Sequence, residues 1–261
     1  MSAIPFKYDK NVFPATVFRC RSDADYAVEL RRYLPSFALD ISNNEGAGWT
    51  AADLHSYLVN GVTVGGHTVR DEDLVRNIKE VWDVTLYNRD DTSDDVLCKH
   101  FISTVHSLLT KNLLTPESRG EFRKGNVGIT GAEDWECPPP EALNDLFFSE
   151  ISELRKLNNI LEKAIVTQLW LSYRQFYSDG NKRVARMVCN KILATEQAGL
   201  FVVPNKGHAE FTRLLCDFYN TADANAIIKF ILEHCLVTFN SEGYTERTPR
   251  YGSDLSRMSL K

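Results

Sequence analysis

Residues 175–186 read Gln-Phe-Tyr-Ser-Asp-Gly-Asn-Lys-Arg-Val-Ala-Arg. In this stretch Asp179 is a hard oxygen ligand suited to Mg²⁺, and Gly180 lets the backbone approach a ligand closely. The amides from Gly180 to Arg183 are expected to open a helix, and the N-terminal end of a helix attracts anions. The sequence therefore predicts a loop that cradles a phosphate-bearing ligand, with a metal ion at Asp179.

Two arginines, Arg183 and Arg186, follow this loop three positions apart. On a helix, side chains at this spacing project from neighbouring positions of one face, so two guanidinium groups can clamp phosphate oxygens. No carboxylate follows at helical spacing within that turn to neutralise them. The residues expected to bind the phosphates are Gly180, Asn181, Lys182, Arg183 and Arg186.

The same stretch resembles the signature of the Fic family, His-x-Phe-x-(Asp/Glu)-Gly-Asn-x-Arg-x-x-Arg. The matching positions are Asp179, Gly180, Asn181, Arg183 and Arg186. Three positions depart from the signature: Gln175 replaces the catalytic histidine, Tyr177 replaces the phenylalanine, and Lys182 replaces the usual glycine, as in the Doc branch of the family.

The departure at Gln175 bears on the reaction. In the family, the histidine takes a proton from a target hydroxyl as that hydroxyl attacks the α-phosphate of ATP. The neutral amide of Gln175 cannot accept a proton usefully near pH 7. The resemblance therefore implies a nucleotide-binding protein that uses Mg²⁺ and ATP or another nucleotide-type donor. It also implies that AMP transfer to a hydroxyl of a target protein is impaired or replaced.

Two classes of function fit this pattern. A transferase without its general base loses a factor of roughly 10² to 10⁴ in rate, so positioning and charge stabilisation can leave residual activity, with ATP, a sugar nucleotide or a CDP-linked group as donor. Alternatively, an inactive homologue binds nucleotide or a protein partner and regulates by occupancy. A glutamine introduced to inactivate an ordinary AMP transferase would leave the same sequence.

The resemblance extends over about residues 36–235. Residues 121–131, followed by the proline-led segment 138–141, are similar to the flap hairpin and the helix start that precede the motif in the family. That hairpin docks the segment of the target protein. The docking residues that the resemblance implies are Val127, Gly128, Ile129 and Thr130.

Residues 42–46 and the Thr-Val-Gly-Gly run at 63–66 resemble the N-terminal region of members that carry an inhibitory glutamate. Glu45 is the candidate for the inhibitory glutamate. The family's glutamate pairs with the second arginine of the loop and blocks productive binding of the γ-phosphate, which implies a pair between Glu45 and Arg186. Alternatively, Glu45 and the glycine after it form a turn or a helix end, where both residue types are common.

Composition narrows the class of protein. The chain has 261 residues, of which 43% are hydrophobic and 25% charged, enough for one substantial core. A net charge of −5 argues against a general nucleic-acid binder. No apolar run approaches the ~20 residues that span a bilayer, and the first residues lack an export signal, so we expect a cytoplasmic protein with no membrane role. A homo-oligomer is compatible with this composition.

The six cysteines show no C-x-x-C pair and are expected to be free, buried thiols. None of the six histidines lies in the loop, and each is expected to be structural; His67, which follows two glycines, is the one that the fold could bring to the site.

Apolar residues recur at helical spacing along most of the chain, with an interruption around residues 122–137. The predicted fold class is mainly α, a Fic-fold helical bundle with a small β-hairpin flap. The expected organisation is an N-terminal helical region over 1–110, a core over 111–237, and a loose polar tail over 238–261.

Overall fold

The computed structural model describes residues 4–62, 65–87 and 91–249. These residues are mainly helical, which confirms the predicted fold class, and they include one small antiparallel sheet. The helices are α1 (Asp23–Asn44), α2 (Ala51–Asn60), α3 (Val69–Leu86), α4 (Ser93–Val96), α5 (Lys99–Leu109), α6 (Leu143–Arg155), α7 (Ile160–Arg174), α8 (Asn181–Thr195), α9 (His208–Thr221) and α10 (Asn225–Phe230). The strands are β1 (Leu200–Phe201), β2 (Leu236–Phe239) and β3 (Thr245–Arg247).

Polar side chains set the starts of the N-terminal helices. Ser22 caps α1 and Thr50 caps α2, each by accepting a hydrogen bond from the amide three residues on. Thr68 and Asp71 form a reciprocal capping box at the start of α3. These caps satisfy amides that a helix leaves unpaired at its N-terminus, so each helix has a defined first residue.

Helices α7 and α8 pack on each other in the centre of the fold. Residues 160–172 of α7 are buried except Glu162, and residues 181–194 of α8 are buried except Lys182. Helices α3 and α5 pack against α8, and α1 packs against α2 and α3. The loop over 175–180 joins two buried helices, so its position is fixed by packing on both sides.

The antiparallel sheet has the order β1-β2-β3, with Leu200 opposite Val237 and Phe239 opposite Thr245. The prediction of a hairpin around residues 122–137 is wrong, because none of these residues lies in a strand. Several backbone groups there bond to side chains instead of to a partner strand, as the next subsection describes.

The prediction of a loose tail over 238–261 is wrong for residues 238–247, which complete β2 and form β3. Phe239 is buried, and the turn between the strands carries Gly243 with φ 78°. The Arg21 amide donates to the Gly243 carbonyl at 3.2 Å, and the Arg21 guanidinium lies over the Tyr244 ring. Contacts with the start of α1 therefore order this polar segment. Residues 250–261 lie outside the described residues, as do residues 63 and 64.

All six cysteines are free, as predicted, and Cys20, Cys189 and Cys235 are buried, whereas the other three are partly exposed. Among the described residues, no helix has both the length and the apolar character needed to cross a bilayer.

Candidate functional site

The loop between α7 and α8 turns through two left-handed residues. Gln175 ends α7 with φ 47° and ψ 57°, and Gly180 precedes α8 with φ 78°. A Cβ atom on Gly180 would lie 3.1 Å from the Thr110 methyl carbon and 3.6 Å from the central guanidinium carbon of Arg183. Both the backbone angle and this close approach favour glycine at position 180.

The side chain of Asn181 braces the loop from within. Its Oδ1 accepts a hydrogen bond from the Tyr177 amide at 2.9 Å, and its Nδ2 donates to the Tyr177 carbonyl at 2.8 Å and to Gln175 Oε1 at 2.9 Å. The side chain predicted to bind phosphate is thus engaged with the loop. Only the backbone amide of Asn181 is left for a ligand.

Gln175 is 8% exposed, and both ends of its amide are bonded to protein. Its Nε2 donates to the Ser172 carbonyl at 2.7 Å, while its Oε1 accepts from Asn181. Position 175 therefore holds a neutral group whose donor and acceptor are already paired. It has no basic lone pair for a hydroxyl proton.

Asp179 lies at the mouth of the loop with a 41% exposed side chain. Its Oδ1 accepts from the Gly180 amide at 2.6 Å, and its Oδ2 accepts from Arg183 Nη2 at 2.9 Å. Burial raises the pKa of Asp179, but the Arg183 charge and these hydrogen bonds outweigh burial, so the pKa falls below its ordinary value. Asp179 is therefore ionised at neutral pH.

A single ionised carboxylate fits one kind of metal site. Mg²⁺ is commonly held by one or two carboxylates together with water and phosphate oxygens of a substrate. Within the described residues there is no group of three or more His, Cys, Asp or Glu side chains that could hold a metal ion. Asp179 therefore suits a cation that a phosphate ligand would share, rather than a site built from protein ligands alone.

Glu45 contacts the first arginine of α8 rather than the second. It is the C-cap residue of α1, and Gly46 after it has φ 81°, so this segment is also the helix end that the alternative interpretation predicted. Glu45 Oε1 lies 3.2 Å from Arg183 Nε. The predicted pair between Glu45 and Arg186 is therefore wrong.

The partner of Arg186 is Asp40, which the sequence analysis did not single out. Arg186 Nη1 donates to Asp40 Oδ2, and both side chains are almost fully buried. Asp40 near the end of α1 thus contacts Arg186, the later arginine of α8. Glu45 at the C-cap of α1 contacts Arg183, the earlier one. Arg183 is also paired with Asp179, a carboxylate that precedes the arginine by one helical turn.

A second buried residue that the sequence analysis did not assign to the loop is His106 on α5. Its Nε2 lies 3.0 Å from the Asp179 carbonyl oxygen, and its Nδ1 accepts from the Gly120 amide at 2.8 Å. Burial lowers the pKa of His106 to about 4, so the ring is neutral and Nε2 carries the proton that bonds to Asp179. Its ring stacks on Tyr177. His67, the histidine considered from sequence, stacks on Trp49 instead.

Arg123 connects the loop to the segment expected to be the flap. Its Nε donates to the Gln175 carbonyl at 2.7 Å, its Nη1 to the Gly125 carbonyl at 2.8 Å, and its Nη2 to the Pro138 carbonyl at 2.6 Å. The Arg123 amide also donates to the Phe176 carbonyl at 2.9 Å. One buried side chain thus holds both ends of residues 125–138 against the loop. No periodicity in the sequence points to this role.

Residues 126–130 alternate in burial as the residues of an extended strand do, and no strand in the described part of the chain pairs with them. Val127 and Ile129 are partly buried, whereas Gly128 and Thr130 are exposed. The Val127 amide contacts the Cys137 sulfur at 3.5 Å. Farther along, the segment is tied to α9, where Asn220 Nδ2 donates to the Gly131 carbonyl at 3.2 Å and Asn220 Oδ1 accepts from the Asp134 amide at 3.0 Å.

A cavity of about 40 Å³ lies between the end of α1 and the start of α8. Its lining residues are Ile41, Asn44, Glu45, Lys182, Arg183 and Arg186. This volume holds roughly one or two water molecules. The Glu45 carboxylate lines this cavity beside Arg183.

Comparison with known proteins finds one matching family model and several similar folds. A sequence model described as the Fic/DOC family matches residues 96–193. The match includes α5, α7, the loop and most of α8, which contribute His106, Gln175 and both arginines. No curated protein matches the chain.

Three solved structures show the same fold. A Fic family protein from Desulfovibrio desulfuricans G20 is 20% identical with a TM-score of 0.63; the match covers 78% of this chain and 62% of that one. A Fic domain containing signaling protein from Bacteroides thetaiotaomicron VPI-5482 is 20% identical with a TM-score of 0.61, covering 80% and 83%. Fic-1 from C. elegans is 17% identical with a TM-score of 0.62, covering 86% and 64%.

The chain thus spans less than two thirds of the length of the first and third of these proteins. At these identities the likeness shows the fold. The match to the Fic/DOC family model rests on residues 96–193, which are less than half of the chain.

Proposed function

We propose that this chain binds a nucleotide-type donor through its phosphate groups at the start of α8, and that Gln175 impairs AMP transfer from ATP to a target-protein hydroxyl. One observation carries the proposal. Arg183 is 2% exposed, yet its Nη1 has no hydrogen-bond partner within the described residues, and its Nε makes no hydrogen bond despite its contact with Glu45.

Buried donors without acceptors are costly, and an unpaired charged group is more costly than a neutral one. A phosphate oxygen beside Arg183 would remove that cost. The N-terminal amides of α8 lie next to the same position, and Gly180 provides no side-chain cap for them. Mg²⁺ at Asp179 would neutralise part of the phosphate charge, and the exposed Lys182 would add a second cation.

The reaction of Fic/DOC family members suggests the acceptor. Members generally transfer AMP or similar groups from nucleotide donors to proteins, so a target protein with a hydroxyl side chain is the acceptor that we propose. Residues 127–130 alternate between partly buried and exposed side chains, and an edge with this alternation suits docking of an extended peptide by strand addition. Arg123 holds that edge against Gln175.

Without a general base at position 175, nucleotide transfer is expected to be slow. Gln175 cannot take a proton, and burial raises the pKa of the neighbouring Tyr177, so that phenol is not a substitute. Transfer would then rely on positioning and on charge stabilisation by Arg183 and Mg²⁺. The second candidate function, a nucleotide- or protein-binding regulator without turnover, is favoured by the fully bonded Gln175 amide.

The test is intact-mass detection of nucleotide transfer by the Glu45→Gly protein with Mg²⁺ and ATP. Gln175→His in the same background is the positive reference, and a further Arg183→Gln change should abolish any adduct. An AMP adduct on Glu45→Gly protein would support the transferase. An adduct on the histidine-restored protein alone would support the regulator. If neither protein forms an adduct and calorimetry finds no nucleotide binding by Glu45→Gly protein, the proposal is wrong.

A further inference from the structure

His106 is a buried histidine of α5 whose ring bonds to the backbone of two other segments. Its Nδ1 accepts a hydrogen bond from the Gly120 amide at 2.8 Å. Because Nδ1 is an acceptor in this neutral ring, the proton is on Nε2, which donates to the Asp179 carbonyl oxygen at 3.0 Å. The His106 ring is therefore a fixed donor to the carbonyl group that precedes Gly180.

This hydrogen bond determines which way the peptide group between Asp179 and Gly180 faces. The carbonyl and the N–H of a trans peptide point in opposite directions. Since the Asp179 carbonyl faces His106, the Gly180 N–H faces away from it and donates to Asp179 Oδ1 at 2.6 Å. The other oxygen of that carboxylate accepts from Arg183. The Gly180 amide therefore lies on the side of the loop where an anion beside Arg183 would bind.

Glycine at position 180 makes the opposite orientation of this peptide group accessible. A rotation of the whole group changes chiefly ψ of Asp179 and φ of Gly180, and glycine adopts both signs of φ readily. The rotated group would turn the Asp179 carbonyl oxygen toward Arg183. The partial negative charge of that oxygen would repel a phosphate at the same place. A fixed donor on the far side of the peptide selects the orientation that suits an anion.

We propose that His106 is a positioning residue that locks the peptide group between Asp179 and Gly180, so that its N–H and not its C=O faces the phosphate. The inference rests on the proposed function, because it assigns a residue that prepares the same anion site. His106 does not line the cavity between α1 and α8. It acts through the backbone of the loop.

Two substitutions of His106 separate its two hydrogen bonds. Glutamine presents an N–H near the position of the histidine Nε2, whereas asparagine presents an oxygen near the position of Nδ1. His106→Gln therefore keeps a donor for the Asp179 carbonyl, and His106→Asn keeps an acceptor for the Gly120 amide. Both remove the ring that stacks on Tyr177 with centroids 3.8 Å apart, so the loss of packing is shared.

Calorimetry with pyrophosphate and Mg²⁺ in the Glu45→Gly background measures the effect on binding. His106→Asn should raise the dissociation constant about tenfold or more, because one charge-assisted hydrogen bond is worth at least that factor. His106→Gln should change it by less than about threefold. His67→Asn is the matched control and should bind like the background protein. The His67 ring also stacks in parallel on an aromatic ring, that of Trp49, and its Nδ1 bonds to no described residue.

Residual dipolar couplings of the Gly180 N–H bond give a second measurement, which needs no ligand. The bond should keep its orientation in His106→Gln protein and lose it in His106→Asn protein.

Three results would overturn the inference: equal losses of affinity in both His106 variants, an unchanged N–H orientation in folded His106→Asn protein, or a tenfold loss in His106→Gln protein, which counts even if His106→Asn does not fold. If the Glu45→Gly protein itself does not bind pyrophosphate, the proposed function fails. The N–H orientation in the ligand-free proteins then still decides whether His106 sets this peptide group.

Discussion

The Nε of Arg123 donates to the carbonyl oxygen of Gln175 at 2.7 Å, and this bond joins the flap segment to the residue that ends α7. The left-handed conformation of Gln175 directs its carbonyl toward a residue 52 positions earlier in the chain. The loop and the segment over 125–138 are therefore expected to behave as one structural unit.

Arg123→Met should loosen this unit. The change would leave the carbonyls of Gln175, Gly125 and Pro138 without their guanidinium donors. The bonds to Gln175 and Pro138 are buried, and each buried unpaired group costs about 1–3 kcal/mol. We expect the free energy of unfolding to fall by about 3 kcal/mol or more, and amide exchange to rise over residues 124–138. Arg155→Met, which removes one bond to the Leu97 carbonyl, should leave that exchange unchanged. Unaltered protection in Arg123→Met protein would contradict the role of Arg123.

Asp40→Ala should be strongly destabilising. The change leaves Arg186 charged and without its carboxylate in a buried position, which typically costs about 3–5 kcal/mol. Urea unfolding monitored by tryptophan fluorescence would measure the loss. Asp217→Ala, which removes an exposed partner of Arg213, should leave the urea midpoint nearly unchanged. Equal midpoints for the two variants would show that the buried pair contributes little.

His106 should make stability depend on pH. Burial lowers its pKa from 6.5 to about 4, so below pH 6.5 the unfolded chain binds a proton that the folded chain does not. The His106 contribution is complete above pH 6.5 and is lost as the pH falls toward 4; this pKa difference corresponds to about 3 kcal/mol.

His106→Phe should therefore lose less stability than the parent protein between pH 7 and about pH 4.5, even if it is less stable at pH 7. The free energy of unfolding at both pH values measures the difference. The exposed His100, changed to Phe, is the control and should keep the slope of the parent protein. The same slope in His106→Phe protein would mean that another group titrates.

Gly180→Ala should disturb the start of α8. Alanine at φ 78° costs about 1–2 kcal/mol, and its Cβ would press on the Thr110 methyl group at 3.1 Å. We expect a lower melting temperature together with weaker binding of pyrophosphate. Gly125→Ala is the matched control, because Gly125 does not have a positive φ and a Cβ there meets no atom within 4 Å. Similar losses in both variants would argue against a special conformation at position 180.

The sequence predicted the parts of this site that depend on short-range chemistry. The spacing of Asp179, Gly180 and Arg183 fits the observed turn into a helix, and the helical pattern of the chain fits the mainly α fold. The hairpin over 122–137 was predicted from the interrupted helical spacing and from the resemblance of residues 121–131 to the family's flap, and neither feature shows whether a second strand pairs with the segment. The polar residues after 238 likewise gave no sign that β2 and β3 would pair.

The sequence by itself determined that Gln175 and a glycine-containing turn precede two arginines three positions apart. Only the tertiary structure decided that Asp40, 146 residues away, neutralises Arg186, and that Glu45 reaches Arg183 instead. The physical reason is that local spacing fixes which side chains share a helix face, whereas an ion pair depends on the distance and burial between two helices. Those are set by how α1 and α8 pack around the common core.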